Sequence, residues 1–279
     1  MKTEEAILIE IKELTKYGNG TVLLDGVSVK LNNGVAYGVL DATGESAHAL
    51  LALLAGAIAP DGGVLRVNGF DAVREAERAR ACVGYLPRGF VAYPDMTPDE
   101  YLVFVSEAKN IEYEVAMHSV HELMGIVELR GRRATLCCHL TPAEHRRLGM
   151  AQALMGDPEF LVLDDPTCDL GERDARDLLD RICALAEGKT LFMSSSSLLD
   201  LRAVCDTVLV LDDGKLAGIY DVDERALDEA YAALCEKNGV DPEAGVNRAL
   251  LRRRKPTREQ RRRSVELDGK YELIDDDES

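Results

Sequence analysis

An apolar strand, a short loop and a long apolar helix follow one another between residues 35 and 58, and this order constrains the fold more than any other feature of the chain. The strand is VAYGVL, the loop is DATGESAH and the helix is ALLALLAGAI. The length and the Ala/Leu content of the last segment suit a buried helix. We therefore predict a strand–loop–helix unit inside an α/β domain.

The second half of the chain continues this alternation. EFLVLDDPT (159–167) is typical of a buried parallel strand that ends in two carboxylates. The segments after it predict further helices and strands, namely helix 172–187, strand TLFMSS, helix SLLDLRAV and strand TVLVLDD. The sheet should therefore be mainly parallel.

The remaining segments predict an antiparallel β start, a helical stretch and a C-terminal helix. ILIEIK and the turn residues Gly18-Asn19-Gly20 indicate an antiparallel β start. Thr97, Pro98 and Glu100 form a strong helix start, which opens a mostly helical stretch to about residue 155. Residues 223–238 have the pattern of one amphipathic helix.

Composition and charge exclude several function classes. The chain has 279 residues and a net charge of -17, which disfavours broad binding to nucleic acid. The longest apolar run, Ala49 to Ala59, is too short to span a bilayer, and MKTEEAILIE contains no apolar signal region, so we expect a cytoplasmic chain. The seven cysteines form no CxxC pair and no metal-ligand spacing, so we expect reduced thiols and no metal site.

The C-terminal tail departs from this acidic pattern. Residues 252–263, RRRKPTREQRRR, hold eight basic residues and one acidic residue, and four acidic residues follow at 275–278. Two interpretations stay open for this tail. It is either a contact for anionic lipid or RNA, or a solvated and self-neutralising disordered segment.

Several stretches carry a family resemblance, among them YPDMTPDEYL, GMAQALMGDPEFLVLDDPT and CDTVLVLDDGKLAG. Over residues 7 to about 220 the chain resembles the ATP-binding subunit of an ABC transporter, and YPDMTPDEYLVF is most like the export-type, gliding-motility-like class. The resemblance implies a P-loop NTPase fold with an antiparallel β subdomain and a helical subdomain. It also implies MgATP as the ligand, a membrane permease as partner, and an ABC ATPase-like domain at 1–222 (helical subdomain about 88–155). Beyond that domain, the residue pattern predicts a C-terminal helix at 223–250 and a charged, disordered tail at 251–279.

The residues that handle ATP in that family are replaced here. In the pattern GxxxxGK[ST], Asp41 takes the first Gly, Ser46 the second, Ala47 the Lys and His48 the Ser/Thr, while Thr43 and Gly44 lie within the loop. Ala47 supplies neither the charge nor the hydrogen bond that the lysine gives to phosphate. No shift of register restores a lysine, because none occurs between Lys30 and Lys109.

The other motif positions are altered too. Arg88 stands at the glutamine that contacts Mg²⁺ and water, and Ser196 at the switch histidine. Asp164 keeps the metal-binding position, whereas Asp165 replaces the catalytic Glu and is one methylene shorter. Tyr17 is the candidate for stacking on adenine. The signature LSGGQ corresponds to the segment Leu140, Thr141, Pro142, Ala143 and Glu144.

We therefore expect a degenerate cassette with no cofactor, or MgATP if any, and with no working catalytic residue. Three functions stay open: a non-catalytic subunit that docks on a permease and pairs with an intact cassette, a weakly ATP-binding subunit, or a soluble scaffold that has left transport. We expect Asp41 and Glu45 to accept N–H bonds at the start of a helix near Ala47, in place of phosphate.

Local alternatives remain for four of these positions. Asp164 and Asp165 could simply cap the next turn or the helix at Thr141. His48 could be a satisfied side chain rather than a ligand. Arg88 could pair with either aspartate.

Overall fold

Two β-sheets organise residues 7–18 and 20–240, the part of the chain that the computed structural model describes. The charged tail at 251–279 lies outside these residues. The larger sheet has six strands in the order β10-β9-β3-β8-β7-β6. Its strands are β3 (Ala36–Asp41), β6 (Val83–Leu86), β7 (Phe160–Asp164), β8 (Thr190–Ser194), β9 (Thr207–Asp212) and β10 (Lys215–Asp221).

The smaller sheet has four antiparallel strands in the order β2-β1-β4-β5. Its members are β1 (Ile7–Gly18), β2 (Thr21–Asn32), β4 (Gly62–Val67) and β5 (Phe70–Asp71). In the larger sheet every pair is parallel except β9 with β10. The predictions of a mainly parallel sheet and of an antiparallel N-terminal patch are therefore confirmed.

Eight α-helices occur within the described residues. They are α1 (Glu45–Leu54), α2 (Ala76–Ala81), α3 (Pro98–Ala108), α4 (Tyr113–Ile126), α5 (Pro142–Leu154), α6 (Glu172–Leu185), α7 (Leu198–Val204) and α8 (Arg225–Asn238). The mostly helical stretch predicted after residue 97 comprises α3 to α5. No helix among the described residues has the length and apolarity to cross a bilayer, since the longest have 14 residues.

The core lies between the two sheets, around α1. Leu50, Leu51 and Leu53 of α1 are almost fully buried, and the same apolar cluster contains Ile11 of the small sheet and Phe192 of the large one. Each fully buried leucine or phenylalanine contributes about 1.5–3 kcal/mol to folding. This packing fixes the axis of α1, and with it the position of the loop that precedes the helix.

Helix α1 and strand β10 differ from the sequence prediction, and α2 and β5 were not predicted either. Helix α1 begins at Glu45 rather than near Ala47, because Gly44 takes a left-handed conformation (φ 79°) and turns the chain into the helix two residues earlier. Strand β10 was not predicted. Its residues alternate between exposed and half-buried and include no fully buried side chain, so they give only a weak strand signal.

Candidate functional site

The carboxyl ends of three neighbouring strands form the candidate site. Strand β8 lies between β3 and β7 in the sheet, so Asp41, Asp164 and Ser194, the last residues of these strands, meet at one edge. This edge is where open parallel sheets bind ligands. The sequence-predicted loop and the predicted pair of carboxylates are therefore brought together.

The loop between β3 and α1 is closed by its own aspartate. Asp41 Oδ2 accepts the backbone N–H of Ser46 at 2.8 Å, and Oδ1 accepts that of Thr43 at 3.3 Å. Gly44, the N-cap residue, has no side chain to cap the helix, so Asp41 supplies the missing acceptor. Glu45 is exposed, and no hydrogen bond reaches its carboxylate from the described residues. The expectation that an acidic side chain accepts these N–H groups therefore matches the geometry of Asp41 but not of Glu45.

A chain of four side chains crosses the site from one aspartate to the other. His48 Nδ1 is hydrogen-bonded to Asp164, and His48 Nε2 lies 2.7 Å from an Arg88 guanidinium nitrogen. Arg88 Nε in turn lies 3.5 Å from Asp165 Oδ2. His48 is thus a satisfied side chain. We call this Asp164–His48–Arg88–Asp165 arrangement the side-chain bridge.

The partners of His48 indicate which of its ring nitrogens donates and which accepts. An ionised carboxylate only accepts hydrogen bonds and a guanidinium only donates them. His48 therefore donates from Nδ1 to Asp164 and accepts at Nε2 from Arg88. The guanidinium of Arg88 places a positive charge between the two aspartates.

Ser194 links the carboxylate of Asp164 to the backbone of Asp165. The sequence did not single out this residue. Its hydroxyl donates to Asp164 Oδ1 at 2.8 Å and accepts the N–H of Asp165 at 3.0 Å. Asp165 has φ 44°, in the left-handed region. Burial raises the pKa of Asp165, and the guanidinium of Arg88 opposes that effect. One signal could have pointed to Ser194. β7 and β8 are neighbouring parallel strands, so their carboxyl ends lie side by side at the site.

A second polar network lies behind the site and was also missed. The buried Asp200 of α7 accepts hydrogen bonds at Oδ2 from Thr167 Oγ1 at 2.7 Å and from Ser195 Oγ at 3.3 Å. Burial raises the pKa of Asp200. The network ties the loop after β7 to the loop after β8.

A small cavity opens beside the side-chain bridge. It provides about 60 Å³ of space for solvent, room for a few water molecules. The sequence-predicted site residues that line it are Asp41, Thr43, Gly44, Ala47, His48, Arg88, Asp165 and Ser196. Neither Tyr17 nor any of Leu140 to Glu144 lines it.

The signature-like segment has a structural role of its own. Thr141 and Glu144 form a capping box at the start of α5, with Pro142 at the first helical turn. Glu144 is also bound by Arg132 Nε at 2.6 Å. The alternative that Asp164 or Asp165 caps this helix is wrong, because the cap comes from Thr141 and because Asp164 is bound to His48 and Ser194.

The residues present do not fit MgATP. Oδ1 of Asp164 is already hydrogen-bonded to His48 and to Ser194. Arg88 occupies the space between the two aspartates, and the Ala47 side chain has no donor for phosphate. Among residues 7–18 and 20–240, no group of three or more His, Cys, Asp or Glu side chains is placed to hold a metal ion.

The six-stranded sheet, the antiparallel sheet packed on α1 and the helices α3 to α5 between β6 and β7 define an ATP-binding cassette of the P-loop NTPase class. Residues 24–168, just over half of the chain, match the family described as ABC transporter. The chain belongs to the ABC transporter family as an ATP-binding subunit.

Relatives and solved structures agree with this assignment. The chain is 25% identical over 241 residues to the linearmycin resistance ATP-binding protein LnrL of Bacillus subtilis, covering 84% of this chain and 74% of the relative. It is 30% identical to the Nod factor export ATP-binding protein I of Paraburkholderia xenovorans, covering 74% and 68%. A solved ATP-binding subunit of an ABC transporter shares the fold with a TM-score of 0.70 at 19% identity, covering 81% of this chain and 99% of that one.

Proposed function

We propose that this chain is a pseudo-ATPase subunit of an export- or resistance-type ABC transporter. It docks on a membrane permease at the cytoplasmic face and acts there as a structural or regulatory subunit, without hydrolysing ATP. The names of its relatives, which concern export and resistance, support the transport class. A single observation carries the loss of catalysis, namely that the side-chain bridge occupies the positions that bind metal and water in the family.

The bridge competes directly with nucleotide. Binding MgATP requires Asp164 to release His48 and requires Arg88 to leave Asp165. The lysine that would offset this cost is absent, and a hydrogen bond to a charged group is typically worth about 1.5–3 kcal/mol. At 1.4 kcal/mol for each factor of ten, the missing lysine alone weakens binding about 10- to 100-fold.

Calorimetric titration of the purified chain with ATP tests this proposal, with and without Mg²⁺. We expect no saturable Mg²⁺-dependent heat at micromolar ATP, while an intact cassette measured in parallel binds. Micromolar, Mg²⁺-dependent binding would overturn the proposal and favour the weakly ATP-binding alternative.

An exposed aromatic patch supports the docking part of the proposal. Tyr93 is 53% exposed and Phe104 41% exposed, and their rings meet edge to face at 5.4 Å. Tyr101 lies beneath them, with its ring 6.2 Å from that of Tyr93. Val91 adds a further exposed apolar side chain beside Tyr93 in sequence. Contiguous apolar surface of this kind marks protein contact sites, and aromatic residues are enriched at the centres of interfaces.

Co-purification with the permease encoded nearest to this gene tests the docking surface. We expect Tyr93→Asp together with Phe104→Asp to abolish co-purification while the melting temperature is retained. Tyr113→Asp is the matched control, because Tyr113 is 64% exposed on α4 and makes no ring contact with the patch. Equal losses in both variants, or retention in both, would contradict docking through this patch.

A pairing with an intact cassette completes the proposal. In the head-to-tail dimer that the family implies, each nucleotide lies between the loop of one subunit and the signature of the other. Here both surfaces are altered, at Ala47 and at Pro142. The permease and the intact cassette therefore hold the subunit in the assembly, and ATP does not.

A further inference from the structure

Asparagine is followed by glycine four times in the chain, at residues 19–20, 33–34, 68–69 and 238–239. This pair is prone to deamidation, because glycine has no side chain to hinder the attack of its backbone nitrogen on the asparagine amide. Folding decides which pairs react, since the nitrogen must be free and water must reach the amide. Residue 19 lies outside the described part of the chain, so the structure describes three of the pairs in full.

Hydrogen bonds hold the attacking nitrogen in two of these three pairs. Gly34 donates its N–H to Thr190 Oγ1 at 2.7 Å, and the same hydroxyl donates to Asn33 Oδ1 at 2.6 Å. At the end of α8, Gly239 donates its N–H to Glu236 O at 3.3 Å. Both nitrogens must first lose a hydrogen bond, so these pairs are protected by the fold.

The third pair, Asn68–Gly69, forms the tip of the β4–β5 hairpin. Asn68 has φ 50° and Gly69 has φ 80°, as the central positions of a two-residue hairpin turn require. Both residues are exposed, and beyond the chain neighbours of Gly69 no atom lies within 4 Å of where its Cβ would be. No hydrogen bond from the Gly69 N–H is present among the described residues. The nitrogen is therefore open to base and the amide to water.

The amide of Asn68 also ties the hairpin to the residue before β7. Its Nδ2 donates to Glu159 Oε2 at 3.1 Å. Strand β5 lies at the edge of the small sheet and contains only Phe70 and Asp71. An edge strand of two residues depends on the turn that precedes it, so a chemical change at Asn68 directly affects the pairing of β5.

We propose that Asn68 is a site of spontaneous deamidation, which replaces the hydrogen bond to Glu159 with repulsion. The Gly69 nitrogen loses its proton to base and bonds to Asn68 Cγ, the Cγ–Nδ2 bond breaks, and Nδ2 takes up a proton and leaves as ammonia. Water then opens the cyclic imide at either carbonyl, which leaves an aspartyl or isoaspartyl residue. The net reaction consumes one water and releases one ammonia. The new carboxylate lies beside that of Glu159, and like charges repel.

This inference goes beyond the proposed function and does not depend on whether the chain binds ATP. Peptide mapping by mass spectrometry tests it on the full-length chain, sampled over several days at pH 8. We expect Asn68 to deamidate about three- to tenfold faster than Asn33 or Asn238, the range that opening one further hydrogen bond gives. Equal rates at the three sites, or an Asn68 that stays intact, would overturn the proposal.

The same chain in concentrated urea is the control for local sequence. Each of the three asparagines is followed by glycine, so we expect similar rates once the chain is unfolded. The order seen in buffer then comes from the fold. If Asn68 is also the fastest site in urea by the same factor, the free nitrogen at the hairpin tip does not explain its reactivity and the proposal fails.

The Asn68→Asp variant tests the effect of the new charge on the hairpin. We expect backbone hydrogen exchange in residues 65–72 to accelerate about two- to fivefold at low salt, the range that an exposed charge pair gives, and less at high salt. Asn110→Asp is the matched control, because Asn110 is also exposed and has φ 56°. Equal exchange in the two variants would contradict repulsion at Glu159.

Discussion

His48 shows how one substitution changes the chemistry of a whole site. A serine or threonine hydroxyl at this position holds Mg²⁺ in the family, whereas an imidazole reaches across to Asp164 and leaves its second nitrogen for Arg88. Asp164 is buried, so its charge needs partners. His48 and Ser194 supply them here.

Removing the imidazole should therefore destabilise the fold. We expect His48→Ala to lower the free energy of unfolding by about 1–3 kcal/mol, the cost of leaving a buried acceptor with fewer partners. Urea denaturation measures this loss. The matched control is His118→Ala, which removes an exposed imidazole paired with Glu122 on α4 and should change the stability by less than about 0.5 kcal/mol. Similar values for the two variants would show that the bridge carries no stability.

Asp200 leads to a prediction about pH. Burial raises the pKa of Asp200 in the folded chain above its ordinary value of 3.8, so the folded chain holds this proton more tightly than the unfolded chain does. The free energy of unfolding therefore falls as the pH rises from 3.8 through the raised pKa, and the cost of the buried charge persists above it. The stability contribution of this group is present at low pH and lost at high pH.

Asp200→Asn should remove that cost and keep an oxygen that accepts from Thr167 and Ser195. At pH 8 we expect the melting temperature to rise by roughly 2–4 °C, the shift that about 1 kcal/mol produces in a domain of this size. The gain should shrink toward pH 5. Asp174→Asn, an exposed carboxylate on α6, should give no pH-dependent gain. A variant less stable than the parent at pH 8 would contradict the assignment.

At the residue scale, the sequence predicts which residues share a site better than it predicts which side chains are hydrogen-bonded to each other. Placing Asp41, Asp164 and Arg88 at one site requires only that parallel strands end at the same edge. The bond from Ser194 to Asp164 and the bond from Thr167 to Asp200 depend on side-chain rotamers and on the approach of two loops. Neither leaves a trace in the spacing of residues, so both were found only in the structure.

At the scale of elements, the start of α1 is the informative case. Helix ends need acceptors for their first N–H groups, and Gly44 provides none. Asp41 reaches forward from the end of β3 and accepts the N–H of Ser46. A nucleotide phosphate normally satisfies such groups, so the loop keeps its shape here through an internal carboxylate.

Asp41→Ala should therefore destabilise the loop and the start of α1. We expect a loss of about 0.5–2 kcal/mol, the range found when a capping acceptor is removed. Glu45→Ala removes a carboxylate from the same turn that accepts no bond from the described residues, and it should cost less than about 0.5 kcal/mol. Thermal unfolding of both variants measures the contrast. If Asp41→Ala melts at the temperature of the parent, the carboxylate does not hold the loop.

Elements were predicted well where one face or both faces are buried. Strands β3, β7 and β8 are apolar runs buried on both sides, and α3 has its Thr97 capping box, so their types follow from pattern and cap alone. Strand β10 is the counterexample, because an edge strand that buries little has no strong pattern. The two-residue shift at α1 came from Gly44, whose left-handed turn cannot be read from periodicity.

At the scale of the whole molecule, the fold depends on the apolar core and the site depends on a few polar and charged side chains. The core around α1 is a continuous cluster of buried apolar side chains, and the surface presents Tyr93 and Phe104. The site needs charged groups at fixed points, and at those points the chain has Ala47, Arg88 and Ser196. A scaffold held by many apolar contacts tolerates such changes, and Ala47 is itself buried in the apolar cluster around α1.

The last prediction concerns partial repair of the site. We expect the purified Ala47→Lys/His48→Ser variant to show no more ATPase activity than the parent chain. This comparison applies to the two chains alone and to each of them mixed with the same amount of an intact cassette. The lysine restores one phosphate contact, but Arg88 still stands in place of the glutamine, Ser196 in place of the histidine and Pro142 in place of a glycine. The attacking water, the metal and the γ-phosphate therefore still lack the side chains and backbone groups that contact them in the family. Asp165 is also one methylene shorter than the catalytic Glu.

A vanadate-sensitive phosphate release assay measures the outcome, with the melting curve confirming that the variant is folded. Clear vanadate-sensitive turnover in the folded variant would show that the remaining motifs are catalytically competent and that Ala47 and His48 alone silence the subunit.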